Sequence, residues 1–300
     1  MGTMGIRRNG NVLRAAAALL AGGTAALSAA ACGIADAGEK SVVGRSDLTI
    51  GVNTDQPGVG SRDGGTYTGF DIDVAKAVAS ELHVTGSHIR FVPVTSGTRE
   101  EQLDPKAKGK AEKVDMIVGS YSITPERKLK VTFAGPYYVA HQDILVRTSD
   151  AASVKSVHDL AGRRLCRVAG SVSYSRVHDE LGVPTRRVDV KAQEGYAACL
   201  KGLTGRSLDA VSTDNLILAG LAAKAVGEGD KVQVVNAPFS DEPYGIGLRK
   251  DDVDGCEQVN KAITKLYQNG TLPRLLHKWF DPAGLKVTTT VPQFEGCDES

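Results

Sequence analysis

The sequence lacks a strong net charge and any long basic run. Its 300 residues carry a formal net charge of +1. Three arginines before Cys32 supply three of the positive charges, which leaves −2 for the chain from Cys32 onward. No Lys/Arg-rich run with interleaved aromatic residues occurs, so nucleic-acid binding is not expected. The 41% hydrophobic and 24% charged fractions are those of an ordinary soluble globular protein.

Motifs of catalysis and of metal binding are also missing. The sequence contains no G-x-S-x-G, no H-E-x-x-H, no P-loop and no G-x-G-x-x-G. The six histidines are scattered, and no cysteine has metal-like spacing with a histidine. These absences favour a recognition protein over an enzyme, with no metal and no cofactor.

The N-terminal residues resemble an export signal followed by a tether. Three arginines precede Ala15 to Ala31, an uncharged and Ala-rich stretch that is too weakly hydrophobic for a good membrane span. Cys32 then resembles the lipidated cysteine of a bacterial lipobox, although Ala29 stands where lipoboxes usually carry Leu. We predict a signal peptide over 1–31, a lipoprotein tether over 32–46, and an exported protein that is lipid-anchored to the outer face of the cell membrane.

Four further cysteines contain no C-x-x-C pair. Four cysteines allow three connectivities, and pairing of sequence neighbours joins Cys166 to Cys199 and Cys256 to Cys297. Each disulfide would contribute about 2 to 4 kcal/mol to stability. The alternative of buried free thiols suits Cys199 on an Ala-rich helix, but it suits Cys297 poorly because that residue lies in a polar tail.

Strands and helices alternate from Leu48 onward. Strands at Leu48–Val52 and Ile89–Val94 flank a helix that Asp71 is predicted to cap, and a second series of the same kind follows. Such alternation predicts mainly parallel sheets flanked by helices. Extended segments at Val139–Val146 and Tyr244–Arg249 cross between the two series and predict two hinge strands.

The two crossings predict a discontinuous first domain. It comprises residues 47–145 and 241–300, with a second domain of residues 146–240 inserted between them.

The segment Val114 to Arg127 is the most informative stretch of the chain. A buried strand ends at Gly119, and Ser120 and Ser122 follow it with hydroxyls that point to one side of an extended backbone. Thr124 and the proline after it are typical of a helix start. A cation in the first helical turn, as at Arg127, is unfavourable by roughly 0.3 to 1 kcal/mol, which favours a nearby anion. We predict a carboxylate site, the alternative being a surface ion pair.

Four further polar residues follow predicted strands. Ser96 and Arg99 follow one strand of the first series, and Ser171 and Asp214 follow strands of the second. Side chains at the carboxyl ends of parallel strands converge, so these residues are expected at one cleft. Asp214 beside Arg127 would form a zwitterion receptor, whereas the simpler alternatives are helix caps for Ser171 and Asp214 and a solvated helix start for Arg99.

An ordered series of motifs resembles the polar amino-acid-binding proteins of ABC uptake systems. The motifs are Y-T-G-F-D-I-D-V-A at Tyr67, S-Y-S-I-T-P-E-R at Ser120, A-G-P-Y-Y at Ala134, V-A-G-S at Val168, S-T-D-N at Ser212 and N-G-T-L at Asn269. The resemblance implies a type II periplasmic binding protein, with two α/β lobes on a hinge. It implies that Arg127 holds the ligand α-carboxylate and Asp214 its ammonium, with Ser120, Ser122 and Ser171 facing the ligand.

One departure concerns ligand selectivity. Many relatives place an aromatic ring after the first strand, but this loop reads Asn53-Thr54-Asp55-Gln56-Pro57. This loop and the Thr95–Arg99 segment resemble the glutamate-binding branch, which implies glutamate or aspartate as ligand. Asp55 leaves cationic ligands as an alternative.

The expected protein is a monomer that delivers its ligand to an ABC permease. A sensor subunit and a dehydratase on the same fold remain alternative functions.

Overall fold

The structure is a computed structural model that describes Met1 and residues 41–191 and 193–297. The predicted signal peptide and Cys32 therefore lie outside the described residues. The last residues of the predicted tether pack on the folded body, because Val42 is buried and its backbone N–H donates to the Asp252 carboxylate at 3.1 Å. No helix in the described part of the chain is long and apolar enough to cross a membrane.

The strands are short except for two. They are β1 (Leu48–Asn53), β2 (Asp55–Gln56), β3 (Gly60–Asp63), β4 (Thr66–Thr68), β5 (Ile89–Val94), β6 (Met116–Ile117), β7 (Thr132–Arg147), β8 (Arg164–Arg167), β9 (Arg186–Asp189), β10 (Val211–Asp214), β11 (Val232–Val234) and β12 (Ser240–Leu248).

Helices alternate with these strands. They are α1 (Phe70–Glu81), α2 (Arg99–Leu103), α3 (Pro125–Lys128), α4 (Ser173–Ser175, continued by a π-helix to Glu180), α5 (Gly195–Thr204), α6 (Asn215–Gly227), α7 (Val253–Gln268) and α8 (Thr271–Phe280).

The largest sheet has the strand order β10-β7-β12-β6-β1-β5, with β11 also paired to β7. Strand β1 is parallel to both β5 and β6, and β8 is parallel to β9. The antiparallel pairs of this sheet all involve the two long strands β7 and β12. The structure is thus an α/β fold in which helices flank sheets with parallel pairs.

Strands β7 and β12 connect two regions of the molecule. We call residues 48–131 and 249–297 the first region, and residues 148–239 the second region. Strand β7 begins at Thr132 rather than near Val139, because it continues along β12, and their antiparallel register ends at the Leu248–Thr132 pair.

A disulfide lies in each region. Cys166 of β8 is joined to Cys199 of α5, and Cys256 of α7 is joined to Cys297 near the described C-terminus. These are the two pairs expected from sequence proximity.

The predicted cap of α1 is wrong. Gly69, with φ 134°, is the N-cap residue, and Asp71 lies inside the first turn. A β-carbon on Gly69 would overlap the Val59 carbonyl, so the close approach of this loop requires glycine. Asp71 is then free to point into the protein, where it is fully buried.

Candidate functional site

One narrow cavity lies between the two regions, at the carboxyl ends of strands. All seven residues predicted to bind ligand line it, namely Ser96, Arg99, Ser120, Ser122, Arg127, Ser171 and Asp214. The remaining lining residues are Gln56, Val172, Ser173, Tyr196 and Ile217. Strand ends converge here because β1, β5 and β6 run in the same direction, as expected for a parallel arrangement.

Arg127 is held at the start of α3. The Thr124 hydroxyl accepts a hydrogen bond from the Arg127 backbone N–H at 3.3 Å and caps the helix as predicted. The guanidinium donates to the Ser122 carbonyl at 2.6 Å and, across the cavity, to the Gly170 carbonyl at 2.8 Å. Its carbon lies 5.0 Å from the centre of the Tyr121 ring. Burial lowers the pKa of Arg127, so its positive charge lacks full hydration.

Arg99 is the second buried cation of the cavity, with 2% of its surface exposed. It donates to the carbonyls of Gly119 at 2.9 Å and Ser120 at 3.2 Å, and its guanidinium carbon lies 4.1 Å from the Tyr121 ring centre. Its Nε is buried without a hydrogen-bond partner. Burial, followed by repulsion from Arg127, lowers the pKa of Arg99 to about 10. The simpler alternative of a solvated helix start does not describe this side chain.

Ser120 stands in an uncommon backbone conformation with φ 42°. Its N–H donates to the Asp71 carboxylate at 2.7 Å, and its hydroxyl donates to Gln56 and accepts from Asn53, each at 2.9 Å. Asp71 also accepts from the Tyr137 hydroxyl at 2.8 Å, and burial raises the pKa of Asp71 to about 7. Sequence reasoning missed this supporting network, although Asn53 is the last residue of β1 and Gln56 follows in β2, at the same edge as the predicted site.

Asp214 supplies the negative charge. It ends β10 and precedes α6, but its side chain makes no capping hydrogen bond. Its carboxylate instead accepts from the Gln142 amide at 2.9 Å and from the Tyr244 hydroxyl at 2.6 Å. Burial, followed by the negative charge of Glu242, raises the pKa of Asp214 to about 7. A cation beside Asp214 would favour the charged form.

Hydroxyl groups of the second region complete the cavity. The Tyr196 hydroxyl lies 2.7 Å from the Ser171 hydroxyl and 2.9 Å from that of Ser173. Burial raises the pKa of Tyr196 to about 12, so this phenol stays neutral and can donate a hydrogen bond. No sequence pattern marks Tyr196 as a site residue, because an aromatic residue in the first turn of a helix is ordinarily part of a core.

The charged side chains that line the cavity form no ion pairs with the described residues. Neither Arg99 nor Arg127 forms an ion pair with a residue that the structure describes, since backbone carbonyls accept their hydrogen bonds. No cluster of His, Cys, Asp and Glu among the described residues could hold a metal ion. The arrangement can therefore bind a small molecule that carries both signs of charge.

Comparison with known proteins agrees with this chemistry. Residues 48–282 match the bacterial extracellular solute-binding proteins, family 3. The chain is 34% identical over 277 residues to the glutamate-binding protein GluB of Corynebacterium efficiens, covering 88% of this chain and 89% of that protein. It is 32% identical over 241 residues to the ABC transporter glutamine-binding protein GlnH of Bacillus subtilis, covering 79% and 82%.

A solved structure extends the likeness to the fold. An ancestral arginine-binding protein bound to glutamine has a TM-score of 0.67 at 32% identity, covering 79% of this chain and 98% of that one. The chain therefore belongs to the bacterial extracellular solute-binding proteins, family 3, and has the type II periplasmic-binding-protein fold of amino-acid receptors.

Proposed function

We propose that this protein captures an acidic amino acid, glutamate or aspartate, and delivers it to an ABC permease. Arg127 binds the α-carboxylate with its planar guanidinium, and Asp214 binds the α-ammonium. Ser120, Ser122 and Ser171 supply hydroxyls around these groups. Arg99, with Ser96 near it, binds the side-chain carboxylate.

The observation that carries this proposal is a pair of buried guanidiniums, those of Arg99 and Arg127, that have no carboxylate partner among the described residues. Both stack on Tyr121, and both reach toward the Gly170 carbonyl, at 2.8 Å for Arg127 and 3.5 Å for Arg99. Two adjacent buried cations repel each other and are costly unless anions neutralise them. A ligand with two carboxylates supplies both anions.

The charge balance distinguishes the ligand classes. Glutamate or aspartate places one carboxylate at each arginine and its ammonium at Asp214. Glutamine and asparagine leave the charge of Arg99 without a partner, and arginine or histidine would add a cation next to it. Asp55 does not line the cavity, and its carboxylate accepts from the Tyr196 backbone N–H at 2.7 Å. This contact argues against the alternative in which Asp55 selects cationic ligands.

The names of the relatives support the amino-acid class more strongly than the particular ligand. GluB is named for glutamate, whereas GlnH is named for glutamine at nearly the same identity. The proposal that the ligand has an acidic side chain therefore rests on the buried Arg99.

The proposal includes the location of the protein and its architecture. Residues 1–31 act as a signal peptide and Cys32 carries a lipid that anchors the monomer outside the cell membrane. Residues 47–145 and 241–300 form one lobe, and residues 146–240 the other. Mass spectrometry of the mature protein tests the N-terminus: the chain should begin at a lipid-modified Cys32, and an unmodified N-terminus elsewhere would contradict the anchor.

Calorimetric titration of the purified protein tests the ligand. A panel of glutamate, aspartate, glutamine, asparagine, histidine and arginine should show tightest binding of the two acidic amino acids and weaker binding of their amides. No turnover of a cyclohexadienyl amino acid is expected. A wild-type preference for arginine or histidine would refute the proposal.

A further inference from the structure

The binding residues are enclosed, so ligand entry requires the cavity walls to separate. Arg99, Arg127 and Asp214 are each less than 10% exposed. The walls come from the first and second regions, which the chain joins through β7 and β12. Contacts made where the two regions meet therefore affect how closely the cavity walls approach each other.

Three glycines of the second region lie where the two regions touch. A β-carbon on Gly170 would overlap the Ser96 carbonyl, one on Gly195 would overlap the Asp55 carboxylate, and one on Gly220 would overlap the Pro57 carbonyl. Ser96, Asp55 and Pro57 all belong to the first region. We call Asp55, Pro57, Gly195 and Gly220 the closure seam.

Only one of these glycines is explained by contact alone. Gly170 and Gly195 have φ values of 77° and 45°, so their backbone conformation already favours glycine. Gly220 lies within α6 and has no positive φ. Glycine in a helix interior is unfavourable relative to alanine, so the buried Gly220 calls for a separate reason. The close approach of Pro57 supplies one.

Helix α6 links this contact to the cavity. Asp214 immediately precedes the helix and Ile217 lines the cavity. Gly220 is three residues beyond Ile217, and residues three apart lie on the same side of a helix. The same side of α6 therefore lines the cavity at Ile217 and contacts Pro57 at Gly220. At the neighbouring seam contact, Asp55 accepts from the N–H of Tyr196, whose hydroxyl network also borders the cavity.

We infer that Gly220 is a positioning residue for ligand capture: its missing side chain lets the 55–58 loop seat on α6 and close the cavity around the bound amino acid. A methyl group at this position acts as a spacer between the regions. It weakens binding without touching the ligand. The inference rests on the proposed function, because it concerns how that same site closes.

The test compares Gly220→Ala with Gly227→Ala. Both glycines lie in α6, but a β-carbon on the exposed Gly227 meets nothing within 4 Å. Alanine has a higher helix propensity than glycine, and neither glycine has a positive φ that would strain an alanine. We expect Gly220→Ala to bind glutamate roughly tenfold or more weakly than wild type, since overpacking opposes the closed state, and Gly227→Ala to bind like wild type.

Small-angle X-ray scattering adds a readout that a general loss of stability would not move. Saturating glutamate should contract the wild type and Gly227→Ala, and should contract Gly220→Ala less, while all three melt at similar temperatures without ligand. Equal affinity and equal contraction of the three proteins would overturn the inference. Equal weakening in both variants would also overturn it, because helix propensity would then be the cause.

Failure of the proposed function gives a different result. If no amino acid of the panel binds the wild type, hydrogen exchange of the Tyr196 backbone amide, measured without ligand, tests whether Gly220 is needed for the contacts of the closure seam. Exchange faster in Gly220→Ala than in wild type and Gly227→Ala supports the inference, and equal exchange in all three overturns it.

Discussion

The two walls of the cavity hold opposite charges in the same manner. In the first region, the basic wall consists of Arg99 and Arg127, which both lie over the Tyr121 ring and donate hydrogen bonds to backbone carbonyls. In the second region, the acidic wall consists of Asp214, which neutral Gln142 and Tyr244 hold through hydrogen bonds. Each wall uses dipoles to orient a charge without neutralising it.

The opposite charges of the two walls suit a ligand that carries both a positive and a negative group, as an amino acid does. A buried charged group that hydrogen-bonds to neutral dipoles costs less free energy than one without partners. It keeps its net charge, so it can still attract an opposite charge. The basic wall has two charges and the acidic wall one, which matches the two carboxylates and single ammonium of glutamate. Variants that remove one of these charges at a time test how each wall contributes to binding.

Removal of Arg127 should have the largest effect on binding. We expect Arg127→Ala to weaken glutamate binding by roughly 10² to 4 × 10³-fold, because loss of one partner of a buried pair costs about 3 to 5 kcal/mol. Arg127→Lys should recover part of the loss, since it keeps the charge but not the planar fork. Calorimetry on variants with wild-type circular dichroism measures this, and near-normal affinity of Arg127→Ala would refute the assignment.

Removal of the acidic wall should have a similar effect with a distinct pH dependence. Asp214→Asn keeps the shape of the side chain but removes its negative charge, and binding of an amino acid should weaken by roughly 10²-fold or more. In wild type, the pKa of Asp214 is raised to about 7 in the free protein by burial and by Glu242. Glutamate affinity should therefore fall as the pH is lowered from 8 to 5.5, because protonated Asp214 must lose its proton to bind an ammonium.

The same shift predicts the pH dependence of stability. A carboxylic acid whose folded pKa lies above its unfolded value binds more protons in the folded state between the two values. Its contribution to the free energy of unfolding therefore falls as the pH rises from about 4 to 7. Asp214→Asn should flatten this part of the stability curve and remove most of the pH dependence of affinity. An unchanged pH dependence of affinity in the variant would show that another group titrates.

Removal of Arg99 should change selectivity more than overall binding. We expect Arg99→Gln to weaken glutamate binding by roughly 10 to 100-fold, corresponding to a charged hydrogen bond of about 1.5 to 3 kcal/mol. Glutamine binding should change much less, because its amide makes no charge pair with Arg99. Titration of both ligands with wild type and variant measures the ratio, and equal losses for the two ligands would indicate a general disruption of the basic wall.

The disulfides should affect stability with little change in binding. Cys166 and Cys199 are 33 residues apart, and Cys256 and Cys297 are 41 apart, so loop closure favours similar stabilisation of about 2 to 4 kcal/mol by each. We expect Cys166→Ser/Cys199→Ser to lower the melting temperature while glutamate affinity stays within about threefold. Mass spectrometry without reductant should detect no free thiol among the four. Free Cys166 and Cys199 would contradict the bridge.

Several features of the site could be predicted from neighbouring residues alone. Thr124 and Pro125 predict the start of α3, and the structure caps this helix through Thr124. The positions of Arg99 and Arg127 after strands predict their convergence, and both line the cavity. These predictions succeed because a helix cap depends on residues within one turn and because parallel strands place their carboxyl ends at one edge.

Other features depend on contacts between distant parts of the chain. Asp71 looks like a helix cap in sequence, but Gly69 takes that position and Asp71 supports Ser120, 49 residues away. Asp55 meets Tyr196 across 141 residues. Nothing in the residues next to either carboxylate specifies its partner. Local sequence patterns are enough to place most strands and helices and the polar side chains at their ends. The packing of the two regions decides which carboxylates support the fold and which one lines the cavity, because the energy of a buried charge depends on all the groups around it.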